Sequence, residues 1–136
     1  MKVAIFGIGY VGAVSAACLA RDGHEVLAVD TSATKVEAIL SGASPIIEKG
    51  LPELIQSAVK GGRLRSTMDA AEAVATTDLS LICVGTPTRP NGSLDTSYVE
   101  RVAESIGCEL REKDSHHSVV FRSTILPGTM ESLIIP

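Results

Sequence analysis

The chain has 136 residues, of which 45% are hydrophobic and only 3% aromatic, and it carries a formal charge of −4. That length buries roughly two thirds of the unfolded surface, enough for one domain whose core needs no disulfides. The acidic balance and the scarcity of aromatic rings argue against nucleic acid as a partner, no apolar run reaches membrane-spanning length, and Met1-Lys2 leads straight into an apolar run without room for a signal peptide, so a cytoplasmic protein with no membrane partner is expected.

The apolar run Lys2–Phe6 reads as a first strand and is followed at once by Gly7-x-Gly9-x-x-Gly12 and a helical pattern over Val11–Arg21. A second strand, Glu25–Asp30, ends on a carboxylate eighteen positions beyond Gly12, where the ribose-binding acid of a dinucleotide site belongs. Strand, glycine turn, helix and acid in this register point to dinucleotide binding. Gly7 permits the turn, Gly9 lets a diphosphate reach the backbone with no β-carbon in the way, and Gly12 lets the helix press on the strand. The helix amino end supplies the positive field, so no basic side chain is required. No Lys-Ser or Lys-Thr follows the glycines, which excludes a Walker phosphate loop. Asp30 can accept hydrogen bonds from ribose hydroxyls and would repel the additional phosphate of NADP; NAD is therefore the expected cofactor.

Further along, helical patterns cover Ser32–Ser41, Leu51–Lys60, Asp69–Ala75 and Asp95–Lys113, alternating with strands at Arg63–Thr67, Leu79–Val84 and Ser118–Arg122. Such alternation predicts an α/β, Rossmann-type, doubly wound parallel sheet in the order 3-2-1-4-5, with ligand at the carboxyl ends of strands 1 and 4. In the long helix, Val99, Val102, Ala103, Ile106 and Leu110 form the core stripe, and Asp95 is the predicted N-cap. Pro127-Gly128-Thr129 reads as another helix start, with Met130, Leu133 and Ile134 opening an apolar face that stops at Pro136. The expectation is a domain cut short at its carboxyl end, the amino-terminal part of something larger.

Several residues stand apart from the glycine turn. Thr86, in Val84-Gly85-Thr86-Pro87, either offers a hydroxyl and an N–H to the cofactor or belongs to a plain turn after a buried strand; Ser123-Thr124 ends the last strand in the same way. Lys35 falls in the helix after Asp30, where an ammonium could meet ribose or phosphate oxygens, although spacing alone favours a solvated lysine on a helix surface. His116-His117 follows a charged stretch and has no third ligand at useful spacing, which predicts an exposed turn rather than a metal site. The three cysteines fit neither a disulfide frame nor zinc: Cys18 and Cys83 read as small core residues, and none of the three, Cys108 included, has an activating base beside it.

Four segments, Phe6-Gly7-Ile8-Gly9-Tyr10-Val11-Gly12, Ser44-Pro45-Ile46-Ile47-Glu48-Lys49-Gly50-Leu51, Cys83-Val84-Gly85-Thr86-Pro87 and Arg122-Ser123-Thr124-Ile125-Leu126-Pro127-Gly128-Thr129, resemble the UDP-glucose/GDP-mannose 6-dehydrogenase family in order and along essentially the whole chain. Gly12-Ala13-Val14, Arg111-Glu112-Lys113 and the Leu126-Pro127-Gly128-Thr129 form resemble the GDP-mannose branch more than the UDP-glucose branch. Lys49 departs from the pattern, standing where the family usually has proline. The resemblance implies that residues 1–136 are an amino-terminal NAD-binding domain without the central helix and substrate domain, that Tyr10 and Val11 face the diphosphate, that Asp30 and Lys35 meet the adenosine ribose, and that Thr86 and Thr124 meet the rest of the cofactor. It implies a homo-oligomeric parent that oxidises a nucleotide-sugar alcohol to the acid in two NAD-dependent steps through a downstream cysteine, with alginate-type polysaccharide synthesis as the setting. Cys18, Cys83 and Cys108 do not match that cysteine's motif, so no catalytic residue is expected within the chain, and the chain alone should not turn over. Two competitors remain on the residues themselves: a nucleotide-sensing regulatory module without catalysis, and a hydroxyacid dehydrogenase of the phosphogluconate type, which would more often carry a basic residue at position 30.

Overall fold

The computed structural model describes all of residues 1–136. Five parallel strands, β1 (Lys2–Phe6), β2 (Glu25–Val29), β3 (Leu64–Thr67), β4 (Leu79–Ile82) and β5 (Ser118–Phe121), form one sheet in the order β3-β2-β1-β4-β5. The helices are α1 (Tyr10–Arg21), α2 (Ala33–Leu40), α3 (Leu51–Lys60), α4 (Ala70–Thr76) and α5 (Ser97–Leu110). The Rossmann-type architecture and its strand order are those expected from the alternation.

Strand periodicity divides the core. On β1, Val3 and Ile5 point to one face of the sheet, where they join Ala13, Ala16, Ala17 and Ala20 of α1 and residues of α2 and α3. Ala4 and Phe6 point to the other, beside Ala73 and Val74 of α4 and Ile106 of α5. Both faces being covered, Val3–Phe6 and Val26–Val29 are buried without interruption, which is why these strands read as continuous apolar runs. The alanine stripe of α1 lets that helix lie close to the sheet. Gly12 is the extreme case: a β-carbon there would stand 1.8 Å from the Gly7 carbonyl oxygen.

The strands end one or two residues earlier than their hydrophobicity suggests. β2 stops at Val29 and β4 at Ile82, because the chain leaves the sheet at Asp30 and Cys83 to turn outward around a cleft. Single ladder bonds persist past these ends, from the Cys83 N–H to the Phe6 carbonyl at 2.8 Å and from the Arg122 N–H to the Ile82 carbonyl at 2.9 Å. The helix starts show related shifts. Asp69 caps α4, its Oδ1 accepting from the N–H groups of Ala71 and Glu72. Asp95 lies one residue before the N-cap of α5, which is Thr96; its carboxylate accepts from the Ser97 N–H at 3.1 Å and from Arg89 at 2.9 Å, and the Arg89 guanidinium holds its pKa at about 2. The expected helix after Pro127 is a five-residue π-helical turn, Met130–Ile134, packed on α5.

The histidine pair behaves differently from the exposed turn expected of it. His116 is exposed, but the next ring turns inward at the amino ends of β4 and β5. There His117 Nε2 lies 2.8 Å from the hydroxyl of Ser80, a residue with no exposed surface. Its Nδ1 lies 3.0 Å from Lys113 Nζ and 3.1 Å from the Thr77 carbonyl. Lys113 Nζ also donates to the carbonyl oxygens of Val74 and Thr77, closing the carboxyl end of α4. An ammonium has only donors, so Nδ1 accepts from Lys113 and Nε2 carries the proton it donates to Ser80; the Thr77 carbonyl beside Nδ1 then takes its hydrogen bond from Lys113 Nζ and not from the ring. Burial and the Lys113 charge both push the His117 pKa below its ordinary value.

Candidate functional site

A cleft of about 570 Å³ opens at the carboxyl ends of β1, β2 and β4, at the point where successive crossovers leave the sheet in opposite directions. Its lining includes Gly7, Gly9, Asp30 and Lys35 together with Cys83, Val84, Gly85 and Pro87. Gly7 takes φ +97°, and a β-carbon on it would stand 3.0 Å from the Cys83 backbone, so both torsion and space demand glycine. Gly9 has the opposite surroundings: nothing lies within 4 Å of its absent β-carbon, leaving the mouth of the turn open.

The amides around that opening are unused. Gly9 caps α1 without a side-chain bond, and the first bond of the helix runs from the Ala13 N–H to the Gly9 carbonyl at 2.9 Å. The N–H groups of Gly9, Tyr10, Val11 and Gly12 have no acceptor within the protein. Such amides, at the positive end of a helix and on an open face, suit a diphosphate.

Asp30 is more deeply engaged than a free ribose acceptor would be. Its Oδ2 accepts from the Ile8 N–H at 2.7 Å, its Oδ1 accepts from the Ser32 N–H at 2.9 Å, and Lys35 Nζ stands 3.5 Å from Oδ2. The carboxylate thus braces the glycine turn from the neighbouring strand, and Oδ1, which accepts only from Ser32, keeps a lone pair for a further donor. Its side chain is 11% exposed against 41% for Lys35, so the lysine is half in solvent and also part of the lining.

The other predicted residues lie around this centre. Tyr10 and Val11, both exposed, occupy the first turn of α1, and Tyr10 donates its hydroxyl to Glu48 Oε2 at 2.6 Å, tying that turn to the loop before α3. The Glu48 carboxylate raises the pKa of the phenol. Thr86, between the lining residues Gly85 and Pro87, gives its hydroxyl to the Thr124 carbonyl at 2.8 Å, while the Ser123 hydroxyl bonds the Val84 carbonyl at 2.7 Å. These bonds join the ends of β4 and β5 into one wall, and neither Thr86 nor Thr124 is among the residues lining the cleft. Cys83 lines it, half-buried, with burial raising its pKa against an opposing pull from Arg122, the reverse of the shift that activates a thiol. Cys18 is partly buried and Cys108 exposed.

Reasoning from sequence missed the opposite wall. Tyr98, Arg101, Val102 and Ser105 line the cleft from α5, and Met68 and Ala70 line it from the start of α4. The spacing 98-101-102-105 is a helical stripe that shares Val102 with the core stripe, so the signal was present in the sequence and was hidden by the stronger apolar one.

The pattern of the "UDP-glucose/GDP-mannose dehydrogenase family, NAD binding domain" matches residues 1–136. The chain belongs to this family. Among curated relatives, the GDP-mannose 6-dehydrogenases of Pseudomonas syringae pv. syringae and Azotobacter vinelandii are 54% and 53% identical over all 136 residues, and the UDP-glucose 6-dehydrogenase of Haloferax volcanii is 40% identical over the same span. The chain covers 31% of the length of each of these relatives. The fold superposes on the crystal structure of a ternary complex of GDP-mannose dehydrogenase from Pseudomonas aeruginosa with a TM-score of 0.99 and 52% identity, over 100% of this chain and 31% of that one. A UDP-glucose dehydrogenase from Pyrobaculum islandicum gives 0.94 at 42% identity, over 98% of this chain and 31% of that one. The motif-based family resemblance therefore holds from end to end, and NAD is the cofactor of this dehydrogenase-family domain.

Proposed function

We propose that this chain is the amino-terminal NAD-binding domain of a GDP-mannose 6-dehydrogenase, a longer protein whose central helix and substrate domain supply what residues 1–136 lack. The observation that carries the reading is a cleft lined by Gly9 and Asp30 at whose edge α1 begins with four unpartnered amides, those of Gly9, Tyr10, Val11 and Gly12. Gly7, Gly9, Tyr10, Val11 and Gly12 would take the diphosphate, Asp30 and Lys35 the adenosine ribose, and Thr86 and Thr124 the nicotinamide half. The cleft volume lies in the range of ordinary cofactor sites, and the open space at Gly9 admits an anion to the backbone. Bound there, NAD supplies a hydride acceptor. The chain's own part is to hold the acceptor in place; no base or nucleophile in residues 1–136 stands ready to take the alcohol's proton.

The choice of sugar rests on identity, 52–54% to GDP-mannose enzymes against 40–43% to UDP-glucose enzymes. In this reading the parent converts GDP-mannose, two NAD and water to GDP-mannuronate and two NADH, with three protons released to solvent, working in the cytoplasm as a homo-oligomer and feeding an alginate-type polysaccharide. No helix of the chain is long and apolar enough to cross a membrane. The test has two parts. Calorimetry of the chain should show NAD binding well ahead of NADP, and an absorbance assay with GDP-mannose should show no NADH from the chain alone. The full-length protein should then reduce NAD with GDP-mannose in preference to UDP-glucose; the reverse preference replaces the sugar assignment, and failure to bind NAD removes the whole reading.

A further inference from the structure

At the opposite end of the sheet from the cleft, the amino ends of β1, β2 and β3 frame a smaller hollow of about 250 Å³, closed on one side by the carboxyl end of α4. Its charged lining is Lys2, Glu25, Arg63 and Arg65. Strand register gathers these residues. Lys2 and Glu25 are partners across β1 and β2, and the Val26 N–H donates to the Arg63 carbonyl at 2.7 Å. Leu64 and Ser66 face α2, so alternation sends Arg65 to the α4 side. Three cations therefore line one hollow beside a single carboxylate, in a chain whose net charge is −4. Their charge is little used within the protein. Lys2, Glu25 and Arg63 form no ion pair, and Arg65 has only Glu72, at 3.5 Å with 63% and 37% of the two side chains exposed, a contact that water weakens.

We propose that this hollow binds a compact, multivalent phosphate anion, gripped by the Arg63 and Arg65 guanidinium groups and the Lys2 ammonium. The neighbouring donors are already engaged, which leaves recognition to these cations. The N–H groups of Lys2, Glu25, Gly62 and Arg63 bond Asp78, Met1, Val59 and Ala58, and the Thr76 and Thr77 hydroxyls donate to the Glu72 and Ala73 carbonyls, each at 2.7 Å. Chemistry selects the occupant: a guanidinium fork matches the paired oxygens of a phosphate, and three cations against Glu25 leave an excess of two positive charges, which suits a dianion. Size and shape agree. The volume is less than half the 570 Å³ of the cleft, and the side chains of Val26 and Leu27 offer no aromatic surface for a base. The carboxyl end of α4 would repel an anion if bare, but Lys113 Nζ donates to the Val74 and Thr77 carbonyls and offsets that charge. Strands of four or five residues, about 15 Å, separate the hollow from the glycine turn, so the two sites do not compete, and the inference does not rest on the NAD reading.

The probe is inorganic pyrophosphate, titrated by calorimetry at constant ionic strength into protein already saturated with NAD, so that the glycine turn is occupied. Wild type is compared with Arg63→Gln, Arg65→Gln and Glu25→Gln, with Arg111→Gln as a control for overall charge and thermal melts to verify folding. Wild type should take up a single equivalent. Arg63→Gln and Arg65→Gln should each weaken it about tenfold, as expected for loss of a charge-assisted bond, and leave NAD affinity unchanged. Glu25→Gln should tighten it about two- to fivefold by removing the one opposing charge, and Arg111→Gln should change it by less than about twofold. ATP in place of pyrophosphate identifies the source: uptake as tight as that of pyrophosphate assigns a nucleotide-borne phosphate to the site, and weaker uptake assigns a free one. The inference is overturned if folded wild type takes up no pyrophosphate, if NAD expels it, if both arginine variants bind like wild type, or if Arg111→Gln loses as much as they do. If the protein binds no NAD, the NAD reading falls by itself, and the same variants titrated without NAD still decide whether the hollow is an anion site.

Discussion

The two ends of the sheet are built on opposite rules. At the amino ends of β4 and β5, Ser80, Thr77, Lys113 and His117 satisfy one another completely, so that a lysine, an imidazole, a hydroxyl and two main-chain carbonyls form a closed network. At the carboxyl ends of β1 and β2, four amides are left without acceptors and a carboxylate oxygen keeps a spare lone pair. Unpaired groups cost free energy when buried, so a fold tolerates them only where water or a ligand takes the missing bonds. One end of the sheet therefore holds the domain together, and the other is kept ready for a partner.

Substitutions that break this contrast can be ranked by their effect on the fold. Gly12→Ala should be the most severe: its β-carbon falls 1.8 Å from the Gly7 carbonyl oxygen, and moving α1 off β1 should cost about 3 kcal/mol or more. A denaturant melt reads the loss, and NAD binding should vanish with it. Asp30→Ala comes next, because it strips the Ile8 and Ser32 amides of their acceptor, at about 1–3 kcal/mol for each that stays buried. It should weaken NAD at least about tenfold and narrow the preference over NADP; unchanged NAD affinity would remove Asp30 from the site.

At the closed end, Lys113→Met should cost about 1–2 kcal/mol by leaving the Val74 and Thr77 carbonyls without their donor, with NAD affinity barely moved. The same network predicts a pH effect. Burial and Lys113 depress the His117 pKa, so the fold favours the neutral ring; that contribution is complete above about 6.5, the unfolded value, and is lost as pH falls toward the lower native one. Melting temperatures of wild type and His117→Gln should diverge least at pH 5 and most above pH 7, and parallel curves would show that the ring titrates normally. Gly9→Ala should disturb the fold least, within about 0.5 kcal/mol, since nothing lies near the added methyl group and the residue's φ is −86°. It should nonetheless impair NAD binding, because the methyl group projects into the space a diphosphate would use.

Much of the cleft was legible in the sequence because its residues answer to local constraints. Gly7, Gly9, Gly12 and Asp30 are set by a turn, an approach, a packing distance and a strand end, each with its own sequence spacing. His117 and the α5 stripe were not legible for a shared reason. The inward turn of His117 depends on Ser80, a residue 37 positions away, and on Lys113 reaching across to α4. Tyr98, Arg101 and Ser105 look like the solvated side of an amphipathic helix until the position of β2 and Met68 shows what they face. Asp30 was recognised for its neighbour in the ligand, while its bond to Ile8 was not foreseen, since a carboxylate at a strand end gives no sign of which amide will fold back onto it.

Taken alone, the order of residues determined the parallel sheet, its strand order, the glycine turn and the family, because hydrophobic period and glycine spacing act over a few residues and survive without knowledge of distant contacts. Tertiary structure alone decided which polar groups find partners: Asp30 with Ile8, Thr86 with Thr124, His117 with Ser80 and Lys113, and the α5 stripe with none. Hydrogen bonds act over about 3 Å, so their pairing is fixed only when segments far apart in the chain are brought to the same place.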